Sequence, residues 1–340
     1  MKIIAFTICT NNHISQACAM LKSWKKYHPE VTTKIILVDA IYTEEELYEL
    51  LGDTEVIPVA RLDISGFDDL VLKYNIYELT VAIRPDSMIY LFQNHNADSV
   101  IYIDTDIMFT GRCSELFHKL ETYDIVLTPH MIMPIDDGFY PSDVDILKGG
   151  VFNMGFAAFA HFNSVKGFLQ WWKERLHKYA YVDFTKNLFG DQLWMDFLPC
   201  YFDNYYILKH LGYNVANWNL HERNVTLDNE SYWVNEKFEM KFFHFSGFRY
   251  NTPGTLCWYC SRYKLEDFNA LKALFKSYYD NLKEANYEKY SHISSVYIPI
   301  YKSYQEKKAK ELYNSLPLKI KMARKLVSIG RKFIYGKSKS

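Results

Sequence analysis

Two aspartates one residue apart, Asp104 and Asp106, close the apolar run in VIYIDTDIMF, which begins at Val100. Carboxylates this close repel each other, so a pair held at the edge of a core calls for a cation. Clustered oxygen ligands are the usual setting for Mg2+ or Mn2+. The same spacing recurs at Asp143-Val-Asp145, where no apolar run precedes it. Short motifs also arise by chance, and for either pair the alternative is two solvated acids. Asp104 and Asp106 stand out by their company. A strand-like run leads into them, and Ile107-Met108-Phe109 turns apolar again, which keeps the chain near the core. A further run, KIILVD, ends in Asp39 in the same way.

These acids need a scaffold. Residues 2–8 read as a buried strand, and Ala17, Met20, Leu21 and Trp24 share one face of a helix from about Ser15 to Tyr27. Glu44–Leu51 reads as a helix. Asp68–Phe92 reads as helical with an interruption at Pro85, where Arg84 leaves the helix or starts a new one. A short helix is expected over 114–120 and a strand over 124–128. Strand and helix runs alternate, and the strands show little polar alternation of their own. That pattern predicts an α/β fold with a mostly parallel sheet covered on both faces. Ligands bind such sheets beyond the carboxyl ends of the strands, where Asp39, Asp104 and Asp106 are expected.

The second half is less regular. GGVFNMGFAAFA (149–160) reads as a glycine turn into a strand. Asn163 or Ser164 is expected to cap a helix that buries Phe168, Trp171, Trp172 and Leu176. GDQLWMDFL (190–198) reads as a short helix, MKFFHFSG (240–247) as a strand, and residues 264–285 as a long amphipathic helix.

The chain has 340 residues, 49% of them hydrophobic, which suffices for one large domain or a domain with an appendage. No apolar stretch reaches the ~18 residues that span a bilayer. Residues 2–9 read as a strand rather than a signal peptide, so the expected location is cytoplasmic. Six scattered cysteines fit a reducing compartment; Cys257 and Cys260, the one close pair, lack the second half of a zinc motif and read as incidental thiols.

The formal charge of −1 hides an asymmetry. Residues 302–340 carry 12 basic side chains against Glu306 and Glu311, whereas the rest carries 27 basic and 38 acidic ones. An acidic body gives no support for nucleic-acid binding. In the tail, Leu318, Met322, Leu326, Ile329 and Phe333 form a stripe flanked by Lys319, Lys321, Arg324, Lys325, Arg331 and Lys332. Such a helix over 316–335 is expected to lie on an anionic membrane surface; the alternative is a helix packed on the body with its basic face in water.

Several ordered motifs carry a resemblance: IIAFTICTNN, Arg84, YIDTDIMF, GGVFNMGFAAF, GDQLWMD and FFHFSG. Together they resemble GT-A fold glycosyltransferases, most of all family 8 and related bacterial polysaccharide and lipooligosaccharide enzymes. The resemblance implies a Rossmann-like nucleotide-binding GT-A domain over 1–260. A helical extension over 261–305 and the basic tail over 306–340 complete the expected organisation.

It further implies transfer of a hexose, galactose or glucose favoured, from a UDP-sugar to a saccharide or lipid-linked acceptor. Retention of configuration and a role in surface polysaccharide synthesis, peripheral on the inner face of the plasma membrane, go with it. By the same resemblance Asp104, Asp106 and His244 hold the metal. An imidazole beside two carboxylates suits Mn2+ better than Mg2+. Ile8, Thr10 and Asn12 occupy nucleotide-contacting positions, Arg84 reaches the donor, and Asp104 also reaches the ribose. Asn153 and Asp191 bind sugar hydroxyls, with Gly155 admitting close backbone approach. Gln192 lies on the face of the anomeric carbon where a nucleophile would be expected.

Two positions depart from the pattern. Thr10 stands where the family often has an acid. GFRYNTPG replaces the Lys-Pro-Trp run, so Arg249 is the candidate for the missing diphosphate contact. An inverting enzyme would instead use Asp191 or Asp196 as base. Nucleotidyl transfer would require a Gly- and Arg-rich phosphate loop, which TICTNN is not. A membrane-associated glycan-binding protein without catalysis is the remaining alternative.

Overall fold

The computed structural model describes residues 1–39, 50–317 and 319–321. Most of the helix expected over Glu44–Leu51 and of the tail helix over 316–335 lies outside the described residues. In chain order the strands are β1 (Ile3–Cys9), β2 (Thr32–Leu37), β3 (Glu55–Pro58), β4 (Ser99–Ile103), β5 (Ile107–Phe109), β6 (Ile125–Pro129) and β7 (Phe152–Ala160). There follow β8 (Val182–Asp183), β9 (Leu188–Phe189), β10 (Tyr205–Ile207), β11 (Val215–Ala216), β12 (Val225–Asp228), β13 (Ser231–Val234), β14 (Phe238–Glu239) and β15 (Phe242–His244).

Seven of them form the central sheet in the order β10-β6-β7-β4-β1-β2-β3. Its pairings are parallel except where β7 runs antiparallel to β4 and β6. The chain leaves β1 toward β2 and β3 on one side and returns to β4 on the other. The crevice beyond the carboxyl ends of β1 and β4 is therefore a topological switch point, the place where open α/β sheets hold ligands.

The sheet is buried on both faces, which explains its unbroken apolar runs. Ile4, Phe6, Ile8, Val100 and Tyr102 face the helices Ile76–Ala82, Arg84–Asn94 and Phe162–Tyr179. Ala5, Cys9, Ile101 and Ile103 face the helices Ile14–Tyr27 and Ser114–Leu120. Phe6, Phe159 and Trp172 are fully enclosed, each stabilising the fold by roughly 1.5–3 kcal/mol over exposure. A third core packs Leu274, Phe275 and Tyr278 of the helix Asn269–Glu284 against Phe243 and Phe245. It braces a small sheet ordered β11-β15-β5, in which β5 follows directly from the aspartate turn after β4.

Some local expectations shift. The helical stretch over 68–92 is three helices: Phe67–Lys73, Ile76–Ala82 and Arg84–Asn94. The extra break falls at Asn75, which caps the second helix in a reciprocal box with Glu78. Arg84 opens the third helix with Pro85 in its first turn, where a missing N–H costs nothing. The helix expected to be capped by Asn163 or Ser164 begins at Phe162, after His161 in left-handed geometry (φ 52°). Residues 264–268 form a separate short turn, so the long helix starts at Asn269. The helix Tyr297–Ser315 runs unbroken across the expected boundary at 305/306.

Candidate metal and sugar-nucleotide site

Asp104 ends β4 and Asp106 precedes β5, so the turn between two paired strands fixes both carboxylates. The Asp104 N–H donates to the Gly155 carbonyl of β7 at 2.8 Å, and the Phe245 N–H donates to the Asp106 carbonyl at 2.7 Å. Antiparallel pairing sets His244 opposite Ile107. The His244 Nε2 atom then lies 3.1 Å from the Asp106 carboxylate and 3.9 Å from that of Asp104. One ligand atom from each of the three residues falls within 4.8 Å of the others, the spacing of groups that share one ion. The two aspartate side chains are 32% exposed, open enough to receive a ligand, while His244 is enclosed.

The surroundings orient this set. Asn214 Oδ1 lies 3.3 Å from His244 Nδ1, and the Trp218 ring meets the imidazole edge-on at 5.2 Å between centroids. A partner on Nδ1 leaves Nε2, which faces the two aspartates, as the atom able to serve as a ligand, an arrangement common in metal-binding histidines. Gly155 supplies room. A Cβ there would come within 2.5 Å of His244 Cε1 and 2.8 Å of Asp104 Oδ2 and of Asn153 Oδ1. Burial by itself pushes His244 down, but Asp106 and Asp104 outweigh it and hold the imidazole above its usual range. Burial raises Asp104, aided by Asp106 and opposed by Arg84, while His244 holds Asp106 below the usual carboxylate range despite burial. This mutual neutralisation by a histidine is what a cation would replace.

Beside the set lies a cavity of about 280 Å3, lined among others by Ile8, Thr10, Arg84, Asp104 and Asp106. Arg84 is enclosed. It pairs with the carboxylate of Asp191, lies 3.6 Å from that of Asp104, donates to the Met154 carbonyl at 3.0 Å and stacks 3.8 Å above the Tyr102 ring. The Tyr102 hydroxyl in turn donates to Asp104 at 2.6 Å. Burial pushes Asp191 up to about 6, against the pull of Arg84 and with a further push from Asp104. Arg84 thus bridges Asp104 of the Asp-x-Asp turn and Asp191 of the GDQ segment.

The other expected residues have varied placements. Asn153 is buried beside His130, Nδ2 to Nε2 3.2 Å, and its Oδ1 accepts from the Gly155 N–H at 3.1 Å. Asn12 Oδ1 accepts from the Thr10 hydroxyl at 2.5 Å. The Gln192 amide donates to the Gly149 carbonyl at 2.7 Å and its oxygen lies 3.4 Å from the Met154 N–H. Arg249 is exposed and stacks over Trp258 at 4.6 Å. Neither Gln192 nor Arg249 lines the cavity. Asp39 is at the sheet edge as expected, but its carboxylate accepts from Ser295 Oγ and the Val296 N–H at 3.2 and 2.9 Å.

Sequence reasoning missed His13, Tyr77, Thr80, Tyr102, His130 and Asn214. One signal was present: Tyr77, Thr80 and Arg84 recur at helical spacing, and all three line the cavity. His130 and Asn214 sit on segments without a motif, and only packing brings them near.

No protein-family model matches the sequence. The Bacillus subtilis (strain 168) protein YfnD, itself described as uncharacterized, is 25% identical over 287 residues, 82% of this chain and 88% of that protein. The galactosyltransferase LgtC, solved with donor and acceptor sugar analogs, matches 83% of this chain and 95% of its own at 16% identity and a TM-score of 0.46. The bifunctional glycosyltransferase WbbM matches 89% of this chain at 13% identity and a TM-score of 0.48; the match spans 52% of that protein.

Proposed function

We propose that this chain is a metal-dependent glycosyltransferase of the GT-A type that moves a hexose, galactose or glucose, from a UDP-sugar to a saccharide or lipid-linked acceptor. The observation that carries the reading is the convergence of Asp104, Asp106 and His244 at the switch-point crevice, beside the cavity walled by Ile8 and Thr10. Two carboxylates and an imidazole fit Mn2+, with Mg2+ as the harder alternative.

Asp104, Asp106 and His244 would hold a divalent ion, which would supply charge neutralisation for the leaving diphosphate, and Asn214 keeps the imidazole aligned. The chain's own groups do the rest. Ile8 and Thr10 contact the nucleoside, with Asn12 holding the Thr10 hydroxyl; Asp104 also reaches the ribose, and Arg249 swings in toward the diphosphate. Arg84 fixes Asp191, which with Asn153 orients the sugar hydroxyls.

Retention is the favoured outcome. Gln192 is a poor nucleophile, Asp191 is paired with Arg84, and Asp196 accepts from the Val151 N–H at 3.0 Å. Each of these side chains is engaged by a partner within the chain, which supports front-face substitution over a covalent or inverting route. The acceptor hydroxyl then attacks from the leaving-group side, and the departing phosphate oxygen takes its proton. The basic stripe over 316–335 holds the enzyme on the anionic inner face of the membrane for surface polysaccharide synthesis. No described helix is long and apolar enough to cross a membrane.

Calorimetry with UDP-galactose and UDP-glucose, with and without Mn2+, tests the reading. Binding that requires Mn2+ and disappears in Asp106→Ala and His244→Ala is expected. Metal-independent binding retained in both variants overturns it. An inverted anomer in the product by NMR overturns retention alone.

A further inference from the structure

Beyond the cavity, the end of the helix Phe162–Tyr179, the short turn Gln192–Phe197 and the helix Leu198–Tyr201 carry a run of rings at the surface. Tyr179, Trp194, Phe197 and Tyr201 follow one another with centroids 5.9, 6.4 and 5.4 Å apart and planes inclined by 28°, 28° and 13°. Rings in face contact would be closer, so each is slid sideways against the next and leaves part of its face open. Tyr179, Phe197 and Tyr201 are 42%, 44% and 55% exposed. Trp171 stands edge-on to Trp194, Phe197 and Tyr201, at 75°, 72° and 85°, and props the three from one side.

An exposed aromatic row of this kind is costly unless it binds something. We infer that the row Tyr179–Trp194–Phe197–Tyr201 is a binding track for a glycan chain, taken up by stacking of successive sugar rings. Aromatic faces carry negative potential and attract the polarised C–H groups of a sugar ring, while the tyrosine hydroxyls at the rim reach its hydroxyls. Successive similarly inclined faces suit a repeating chain of rings better than a single small ligand.

The row also departs from the protein's aliphatic surface. The cleft lined by Met133, Val144, Leu147 and Val151 has no aromatic ring. Among the row's own members there is no aliphatic side chain. The row is tied to the cavity wall through the chain: its turn begins at Gln192, directly after Asp191, whose carboxylate pairs with the cavity residue Arg84. As an acceptor track the inference rests on the proposed glycosyl transfer; as a glycan-binding surface it does not.

Calorimetry of the full chain with hexasaccharides of β-1,4-glucose, α-1,4-glucose and β-1,4-N-acetylglucosamine tests it. Saturable binding of at least one is expected. It should weaken on the order of tenfold in the double variant Phe197→Ala/Tyr201→Ala and stay within about twofold in Tyr201→Phe, which keeps the ring. UDP-sugar titration of the same variants separates the two readings: donor binding unchanged while hexasaccharide binding falls places the loss on the track. Hexasaccharide binding without any donor binding leaves the track and removes the proposed transfer. The inference is overturned if none of the three binds, or if the double variant binds as tightly as the parent. It is also overturned if the double variant changes only retention on phosphatidylglycerol vesicles or the oligomeric mass.

Discussion

Asp104-Thr-Asp106 and Asp143-Val-Asp145 have the same spacing and opposite fates. The first pair sits in a turn between two paired strands, and its carboxylates converge on His244. The second opens the helix Asp143–Gly149. There Asp145 accepts from the Ser142 N–H and hydroxyl at 3.1 and 2.7 Å and pairs with Lys148 at 3.0 Å. The Ser142 hydrogen bonds, with help from Lys148, hold the Asp145 carboxyl below its usual range. One pair converges on a histidine in a set that could hold a cation; the other sits at a helix start, where a negative group is favoured. Spacing alone carries no function. What distinguishes the pairs is whether an element remote in sequence delivers a third group able to act as a ligand.

The largest effect should come from breaking the first pair. Asp106→Ala and His244→Ala are each expected to abolish measurable Mn2+ binding by calorimetry and to lower any transfer rate by about 100-fold or more. Asp145→Ala should leave Mn2+ binding unchanged. Equal losses in both pairs would erase the contrast.

Arg84→Met removes the clamp behind the first pair. It leaves Asp191 buried without its cation, so chemical denaturation should show a loss of about 3–5 kcal/mol. A stability within 1 kcal/mol of the parent, to take roughly the scale of a typical surface change, would mean that Asp191 simply takes up a proton. Asn214→Ala should weaken Mn2+ affinity by about 10–100-fold with little change in fold, since it frees the imidazole to rotate.

Acid sharpens the comparison further. If His244 is a ligand, Mn2+ must displace the proton on its imidazole, which Asp106 and Asp104 hold above the usual histidine range despite burial. Apparent Mn2+ affinity should therefore fall as pH drops through that raised value and level off above it. Affinity independent of pH between 5 and 8, roughly the range in which histidine titrates, would exclude His244 as a ligand. The smallest effect belongs to the second pair: Ser142→Ala should cost about 1 kcal/mol of stability and nothing in metal binding.

Much of the fold was legible because burial on both sheet faces writes unbroken apolar runs, and because ligands gather at strand ends. Asp104, Asp106 and His244 were each marked by such a run. The break at Asn75 was also present in the sequence, as an Asn followed three residues later by Glu78, but a continuous helical period masked it. Asn214 and His130 were not legible. Neither lies in a pattern with a period, and each acts through a neighbour that only the folded chain supplies. The roles of Gln192 and Arg249 illustrate the same limit: their motifs mark the region, while their side chains turn to the Gly149 carbonyl and to Trp258.

By itself the sequence determined the α/β alternation, the strand that ends in two acids and the residue types able to hold a divalent ion. These follow from local periodicity and from the chemistry of carboxylate and imidazole. The tertiary structure alone decided which of two identical Asp-x-Asp spacings converges on a histidine in a set able to hold a cation. It did so through antiparallel pairing of β5 with β15, which carries His244 across some 140 residues of chain to within 3.1 Å of Asp106. It also decided that Gly155 must stay without a side chain, because three polar groups crowd the space a Cβ would take. Contacts of that range are set by sheet register, and register belongs to the packed core as a whole.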